Sequence, residues 1–277
     1  MILLGQVAVG GVVHLRVDGE YVPFRVMHHG KPSSLYDDSF VGGTILCKDY
    51  TGAPYATKMV SDEEDGKVTY AKSYLHQVLN QTWLSKLDPA MQQMVMEVKL
   101  PYRTDIDGEP YEVASGSSGL AAKVWLPSLS EIADTLRYDD TYGEPYVVEG
   151  AIFDYWKDAD EAQFRKWRCL DYNENDQGWG TRTPNLYYGA SSMAPYFFRM
   201  SGYGYAYSIL DNEIEVWPCL VMPDTLVVDG DNHLHLMGAV PVKVNGSWKE
   251  GSTWCRVNGV WNEATAIAAK VSGSWKE

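Results

Sequence analysis

The chain has 277 residues and a formal net charge of −14, with 45% hydrophobic and 13% aromatic residues. This length and apolar fraction are sufficient for one large or two small folded domains with a substantial core. The negative charge argues against nucleic acid or an anionic membrane as a partner, because the long-range field repels both. We therefore expect a globular protein that neither binds nucleic acid nor inserts into a membrane.

The first residues are apolar, but they carry no cationic segment and are too few to span a bilayer. We interpret Met1–Val13 as a strand and expect no ordinary signal peptide. The cysteines are widely spaced and form no Cys-x-x-Cys pair: Cys47, Cys169, Cys219 and Cys255. This spacing favours free, mostly buried thiols over a zinc site or a disulfide framework.

The next segments carry strand and helix patterns. Val12–Val17 and Tyr21–Met27 flank Asp18-Gly19, a dipeptide typical of hairpin turns. A helix is predicted from Ser73, and its apolar stripe comprises Leu75, Val78, Leu79, Thr82 and Trp83. Asp88-Pro89 predicts the start of a second helix, whose stripe comprises Met91, Met94, Val95 and Val98.

The middle of the chain is richer in turn residues. Residues 101–120 are predicted to form a long surface loop. Ser128-Leu-Ser-Glu131 has capping-box spacing and predicts a short helix to about Leu136. Asp158 with Glu161 predicts another helix, with Phe164 and Trp167 on its buried side. From Trp179 to Val228 the pattern is that of strands with long connections.

One heptapeptide pattern occurs three times near the end of the sequence, beginning at Val244, Val257 and Val271. Each copy has Asn-Gly or Ser-Gly between a β-branched residue and a Trp, which predicts a small hairpin. A period of 13 to 14 residues is too short for an independent domain and favours a modular appendage with a structural or binding role.

Several segments resemble, in the same order, an uncharacterised C-type-lectin-like domain family found in phages and prophages of gut Firmicutes. The segments cover roughly residues 10–228 and are Phe24–Asp38, Ser73–Trp83, Val98–Arg103, Ser115–Leu120, Lys123–Ile132, Trp179–Pro184 and Val216–Pro223. The sequence departs from the family at Gly180 and Trp217, where the family has Trp and Arg. The repeats likewise resemble those of phage virion proteins. The resemblance implies an α+β fold with two or more helices packed on antiparallel strands and long loops.

The same resemblance implies no calcium-dependent sugar binding. Lectins of this fold use Glu-Pro-Asn and Trp-Asn-Asp triplets, whereas Glu109-Pro110 and Glu144-Pro145 are each followed by Tyr here. The fold also occurs in formylglycine-generating enzymes, but their paired active-site cysteines have no counterpart. We therefore expect no enzyme activity and no cofactor.

A polar and aromatic segment between Asn185 and Asn212 is the candidate binding face. Tyr provides large, rigid contact area, and Ser, Gly and Asn provide adaptable hydrogen bonding. The candidate partner-binding residues are Asn185, Tyr187, Tyr188, Ser191, Ser192, Tyr196, Tyr203, Tyr205, Tyr207, Asp211 and Asn212. As a strand, 203–207 places three phenols on one face. The alternative is that these tyrosines pack in the core beneath neighbouring loops.

No metal site is predicted. His233 and His235 would share one strand face, but no third ligand is evident nearby, which favours a solvated pair. His28 and His29 point to opposite faces if extended. Asp105–Gly108 and Asp229-Gly-Asp231 lack the remaining oxygen ligands of a calcium loop and are interpreted as ordinary turns.

Together these patterns predict a C-type-lectin-like domain over 1–228, a linker over 229–241 and a hairpin repeat tail over 242–277. The predicted function is a tail or fibre adhesin of a phage virion, assembled in the host cytoplasm as a homo-oligomer. Its expected partners are a bacterial surface receptor, protein or glycan, and other virion proteins. Two alternatives stay open: a decoration or assembly protein of the virion without receptor binding, and a bacterial surface binding protein of prophage origin.

Overall fold

The computed structural model describes residues 1–58, 69–104, 112–132, 137–138, 148–167, 179–184, 197–200, 205–208, 213–236, 239–244, 247–252, 254–257, 260–263, 269–271 and 274–276. The strands are β1 Ile2–Leu3, β2 Val12–Val17, β3 Glu20–His29, β4 Gly43–Lys48, β5 Tyr55–Lys58, β6 Val98–Leu100, β7 Tyr102–Arg103, β8 Val113–Ala114, β9 Leu120–Ala122, β10 Val124–Trp125, β11 Arg137–Tyr138, β12 Trp179–Pro184, β13 Phe197–Met200, β14 Tyr205–Ser208, β15 Glu213–Val216, β16 Cys219–Pro223, β17 Val227–Val228, β18 Leu234–His235, β19 Ala239–Val244, β20 Ser247–Ser252, β21 Trp254–Val257, β22 Val260–Glu263, β23 Ala269–Val271 and β24 Ser274–Lys276. The α-helices are α1 Tyr74–Val78, α2 Pro89–Met94, α3 Leu129–Ile132 and α4 Glu161–Lys166.

A five-stranded antiparallel sheet, in the order β10-β16-β4-β3-β2, forms the centre of the molecule. The β2–β3 hairpin is confirmed, with Asp18 at φ 51° and Gly19 at φ 86° in its turn. Residues 1–13 do not form the single strand that was predicted. Ile2–Leu3 form β1, Leu4–Gln6 form a 3₁₀ turn, and Val12–Val13 belong to β2. Gly10, at φ 85°, then turns the chain before β2 begins.

A helical segment packs on this sheet. Ser73 caps α1 by accepting a hydrogen bond from the His76 amide. A π-type turn over Leu79–Trp83 and a 3₁₀ turn over Leu84–Lys86 follow. The predicted stripe is buried except for Thr82, which is exposed. A π turn holds more residues per turn than an α-helix, so it rotates Thr82 away from the stripe.

The start of α2 is confirmed, because the Asp88 carboxylate accepts the Ala90 amide and Pro89 occupies the first turn. The helix ends at Met94, so Val98 belongs to β6 and not to the helical stripe. The last predicted helix begins after Asp160 instead of Asp158, since the Asp160 side chain caps Gln163. Phe164 and Trp167 are buried, as expected.

Residues 101–120 are not simply a surface loop. β7 pairs with β8, and Gly116–Ser118 form a 3₁₀ turn. Arg103 is only 1% exposed. Residues 105–111 lie outside the described part.

The second half of the chain is β-rich in its described parts, as predicted. β11, β14, β13 and β12 form a four-stranded sheet in that order, with one parallel pair, β11–β14. β1, β17 and β18 form a three-stranded antiparallel sheet. The whole is a mixed α/β structure of mostly antiparallel sheets with few helices.

The three sequence repeats form the predicted hairpins. β19 pairs with β20, β21 with β22 and β23 with β24, all antiparallel. The segment before them differs from the predicted linker. β18 pairs with β17, and Leu234 is buried, so β18 belongs to the preceding fold although it lies beyond the predicted boundary at Val228.

Cys47 and Cys219 are free, buried and directly opposite each other on β4 and β16, as expected for structural thiols. Among the described helices, none combines the length and apolarity required to cross a membrane.

Candidate functional site

Most of the predicted binding residues lie outside the described part of the chain. These are Asn185, Tyr187, Tyr188, Ser191, Ser192, Tyr196, Tyr203, Asp211 and Asn212. Tyr205 and Tyr207 lie in β14, so the strand expected at this position is present there. Tyr205 pairs with Arg137 of β11 at one edge of β14, and Tyr207 pairs with Arg199 of β13 at the other edge.

Two strands connect β14 to the protein interior. β14 pairs with β13, and β13 pairs with β12, which supplies Arg182. Trp179, Thr181 and Arg182 on β12 are at most 1% exposed. β14, which carries Tyr205 and Tyr207, and the buried strand β12 are therefore parts of one hydrogen-bonded sheet.

Arg182 and Glu131 form a two-point ion pair inside the protein. Arg182 Nη1 donates to Glu131 Oε2 at 2.5 Å, and Nη2 donates to Oε1 at 2.8 Å. Both side chains are 0% exposed. Nη1 also donates to the Leu126 carbonyl, and Nη2 also donates to the carbonyls of Pro101 and Glu149. These bonds offset the cost of burying the guanidinium charge, and Arg182 Nε is the one guanidinium nitrogen with no hydrogen-bond partner among the described residues.

Glu131 also organises the chain around it. Its carboxylate accepts hydrogen bonds from the Tyr36 hydroxyl at 2.5 Å and from the Ser128 amide at 2.9 Å. The Ser128 contact is half of the predicted capping box, with Glu131 at the third helical position. The predicted helix is thus present at Leu129–Ile132, and residues 133–136 lie outside the described part.

A second buried carboxylate, Glu149, lies beside this ion pair and is hydrogen-bonded to the Arg103 backbone. The Arg103 amide donates to Glu149 Oε1 at 2.8 Å, and the Glu149 amide donates to Ser130 Oγ at 3.0 Å. Glu149 is fully buried, and its Oε2 has no hydrogen-bond partner among the described residues. We call Tyr36, Arg103, Glu131, Glu149 and Arg182 the buried charge network.

Burial and charge change the pKa values in the buried charge network. Burial alone would lower the pKa of Arg182, but the charge of Glu131 and its hydrogen bond raise it above the usual value. Burial and the Glu131 charge raise the pKa of the Tyr36 hydroxyl well above its usual range. Burial raises the pKa of Glu149 to about 7, against the opposing effect of Arg182. Arg182 and Tyr36 thus stay protonated, and both donate hydrogen bonds to Glu131.

The buried charge network fixes the ends of several chain segments. Arg103 precedes residues 105–111, Glu131 and Glu149 flank residues 133–147, and Arg182 precedes residues 185–196. The Leu129 amide donates to Thr183 Oγ1 at 2.9 Å, which joins α3 to β12. Its members are 1% exposed or less, so the network is shielded from solvent and holds these segments together from inside.

Sequence reasoning identified Glu131 only as a capping residue and Arg182 only as part of a family motif. Little in the sequence indicates that these two residues pair, since 51 residues separate them. Trp217, the family departure, is buried elsewhere in the core, where its Nε1 donates to the Trp167 carbonyl at 3.0 Å. It packs edge-on against Trp167 in an aromatic cluster with Trp156 and Trp179.

The prediction that His233 and His235 have no third ligand nearby is wrong. Asp229 Oδ2 lies 2.8 Å from His235 Nε2 and 3.6 Å from His233 Nδ1. The turn after β17 brings this carboxylate back to the histidines, a consequence of hairpin geometry that residue spacing did not reveal. His28 and His29 have separate partners, Asp154 and Thr44, as their predicted opposite orientations required.

Comparison with known proteins gives one match. A family described as a domain of unknown function (DUF6273) matches residues 42–223, which include Glu131, Glu149 and Arg182. The searches of curated proteins and of solved structures gave no match. The chain therefore belongs to the DUF6273 family.

Proposed function

We propose that this protein is a phage tail or fibre adhesin that binds a bacterial surface receptor through the segment 185–212. The observation that carries the proposal is the position of β12. This strand is anchored in the core by Arg182 and leads directly into the Tyr- and Asn-rich segment. Recognition residues are commonly carried on loops that a rigid scaffold holds in place.

The composition of the segment supports a binding role. Its Tyr, Ser, Gly and Asn residues match the side chains that recognition loops use for rigid contact area and adaptable hydrogen bonds. We further propose that the domain has a C-type-lectin-like fold. The ordered motifs of the resemblance and the arrangement of short helices on an antiparallel sheet support this proposal.

A role in virion assembly is the second candidate, and the three C-terminal hairpins favour it. Each hairpin pairs only within itself among the described strands, and isolated two-stranded hairpins are marginal in water, so association with other subunits would stabilise them. In this alternative the 185–212 segment contacts another virion protein.

The test is attachment of the labelled full-length protein to a panel of gut Firmicutes cells. We expect that replacing Tyr203, Tyr205 and Tyr207 by Ala weakens attachment by at least about tenfold, because interface tyrosines are frequent hot spots. The melting temperature should change little. Val41→Ser is the matched control, since Val41 is 62% exposed and lies outside the segment.

Three other outcomes of this experiment would each lead to a different interpretation of the segment. Unchanged attachment by the triple variant would reject the assignment of the binding face. A large fall in melting temperature would assign the tyrosines to the core. Attachment to no strain, together with incorporation of the protein into particles, would favour the assembly role.

A further inference from the structure

The loop between β17 and β18 brings three metal-ligating side chains together. Asp229 begins the loop, and His233 and His235 follow it at positions that share one strand face. One ligand atom of each residue lies within 4.8 Å of the others. This is the only such group found among the residues that the structure describes.

The loop backbone holds the Asp229 carboxylate in place. Oδ1 accepts the Asp231 amide at 2.8 Å and the His233 amide at 2.9 Å. The Asp229 amide donates to the His233 carbonyl, and Asn232 closes the turn at φ 62°. Since Oδ1 is occupied by the backbone, Oδ2 is the oxygen that faces both imidazoles.

The two imidazoles are also positioned. The His233 ring stacks on Tyr21, with 3.6 Å between the centroids and 8° between the planes. His14 lies edge-on to the His233 ring with 5.8 Å between the centroids, and its amide donates to the Asn232 carbonyl at 2.7 Å. β2 and β3 thus support the ligand loop from outside, as residues around metal ligands commonly do.

The two separations from Asp229 Oδ2 fit a tetrahedral zinc site. Ligands bound tetrahedrally at about 2.0–2.1 Å lie roughly 3.3 Å from one another. The observed distances from Asp229 Oδ2, 2.8 Å and 3.6 Å, lie on either side of that value. The side chains are 19% to 28% exposed, so a metal ion can reach them from solution.

We propose that Asp229, His233 and His235 form a binding site for one zinc ion or a similar borderline divalent metal. Two imidazoles and one carboxylate are typical zinc ligands, and three protein ligands leave a fourth position for water or an external ligand. Calcium and magnesium are disfavoured because they require mostly oxygen ligands. The proposal does not depend on the proposed function.

The test is calorimetric titration of zinc chloride into the full-length, metal-free protein. We expect one zinc ion per chain, and a rise in melting temperature with zinc because the metal binds only the folded loop. Asp229→Asn and His235→Gln should each weaken zinc binding by at least about 100-fold, since each removes a direct ligand. Asn at position 229 retains the oxygen that accepts the loop amides. Cobalt should show the visible absorption of a four-coordinate complex.

Asp231→Asn is the matched control. It removes a carboxylate from the same loop but outside the ligand group, so zinc affinity should be unchanged. Calcium or magnesium in millimolar excess should not compete. Absence of zinc binding by the wild-type protein would overturn the proposal. So would equal zinc affinity in the wild type and in either ligand variant that keeps the wild-type circular dichroism spectrum.

Discussion

Arg182 and Glu131 face each other as a fully buried, two-point ion pair, with N–O distances of 2.5 and 2.8 Å. The pair joins β12 to the start of α3, and it also gathers the carbonyls of Leu126 and Glu149 around the guanidinium. It therefore holds together chain segments that are distant in sequence. Any change that removes one of the two partners leaves the other charge buried and uncompensated, which is strongly destabilising.

Replacing Glu131 by Gln should strongly destabilise the protein. The change leaves the Arg182 charge buried without its direct partner, which typically costs about 3–5 kcal/mol. The free energy of unfolding is measured by urea titration. Lys31→Ala is the control, because the Lys31–Asp38 pair lies at the surface and contributes about 0–1 kcal/mol. Equal effects of the two substitutions would contradict the scaffold role.

Glu149→Gln should change the pH dependence of stability. The pKa of Glu149 is about 7 in the folded protein, compared with 4.5 for an ordinary Glu. The folded state therefore retains this proton where the unfolded state has lost it. The associated stability is fully present below about pH 4.5 and is lost as the pH rises to about 7.

The wild type should thus lose stability relative to Glu149→Gln between these pH values, by on the order of 3 kcal/mol. Gln cannot ionise, so the variant lacks this dependence. Melting temperatures of both proteins at pH 4.5, 5.5, 7 and 8 measure the difference. A difference that is constant over the range would show that burial does not raise the pKa of Glu149.

Asn80→Ala should destabilise the contact between the helical segment and β10. Asn80 Oδ1 accepts the amides of Lys123 and Val124 at 2.9 and 3.1 Å, and Nδ2 donates to the Val124 carbonyl at 2.8 Å. Loss of these bonds leaves partly buried backbone groups unpaired, at a cost of about 1–3 kcal/mol. Gln81→Ala, at an exposed position, should change stability by less than about 0.5 kcal/mol. Urea unfolding of both variants tests this, and equal stabilities would contradict it.

Removing residues 239–277 should leave a folded protein. The truncation keeps β17 and β18, and each tail hairpin pairs only within itself among the described strands. We expect a lower oligomeric state by light scattering, because an isolated hairpin of this size is marginal in water and is stabilised by association with other subunits. An unfolded or aggregated fragment would show that the tail belongs to the main core, and an unchanged oligomeric state would exclude it as the association module.

The sequence by itself determined the features that depend on near neighbours. The Asp18-Gly19 turn, the helix caps at Ser73 and Asp88 and the three tail hairpins all follow from residues within a few positions of one another. Backbone sterics and local hydrogen bonds act over that range, so residue type is sufficient to predict them. The strand at Tyr205–Ser208 is of the same kind.

Only the tertiary structure decided which polar residues are brought together and buried. Glu131 appears in the sequence as an ordinary capping residue, yet it is the partner of Arg182 across 51 positions. Asp229 appears as a turn residue, yet its second oxygen faces two imidazoles. The physical reason is that burial, ion pairing and ligand geometry depend on how distant segments pack, and no local propensity contains that information.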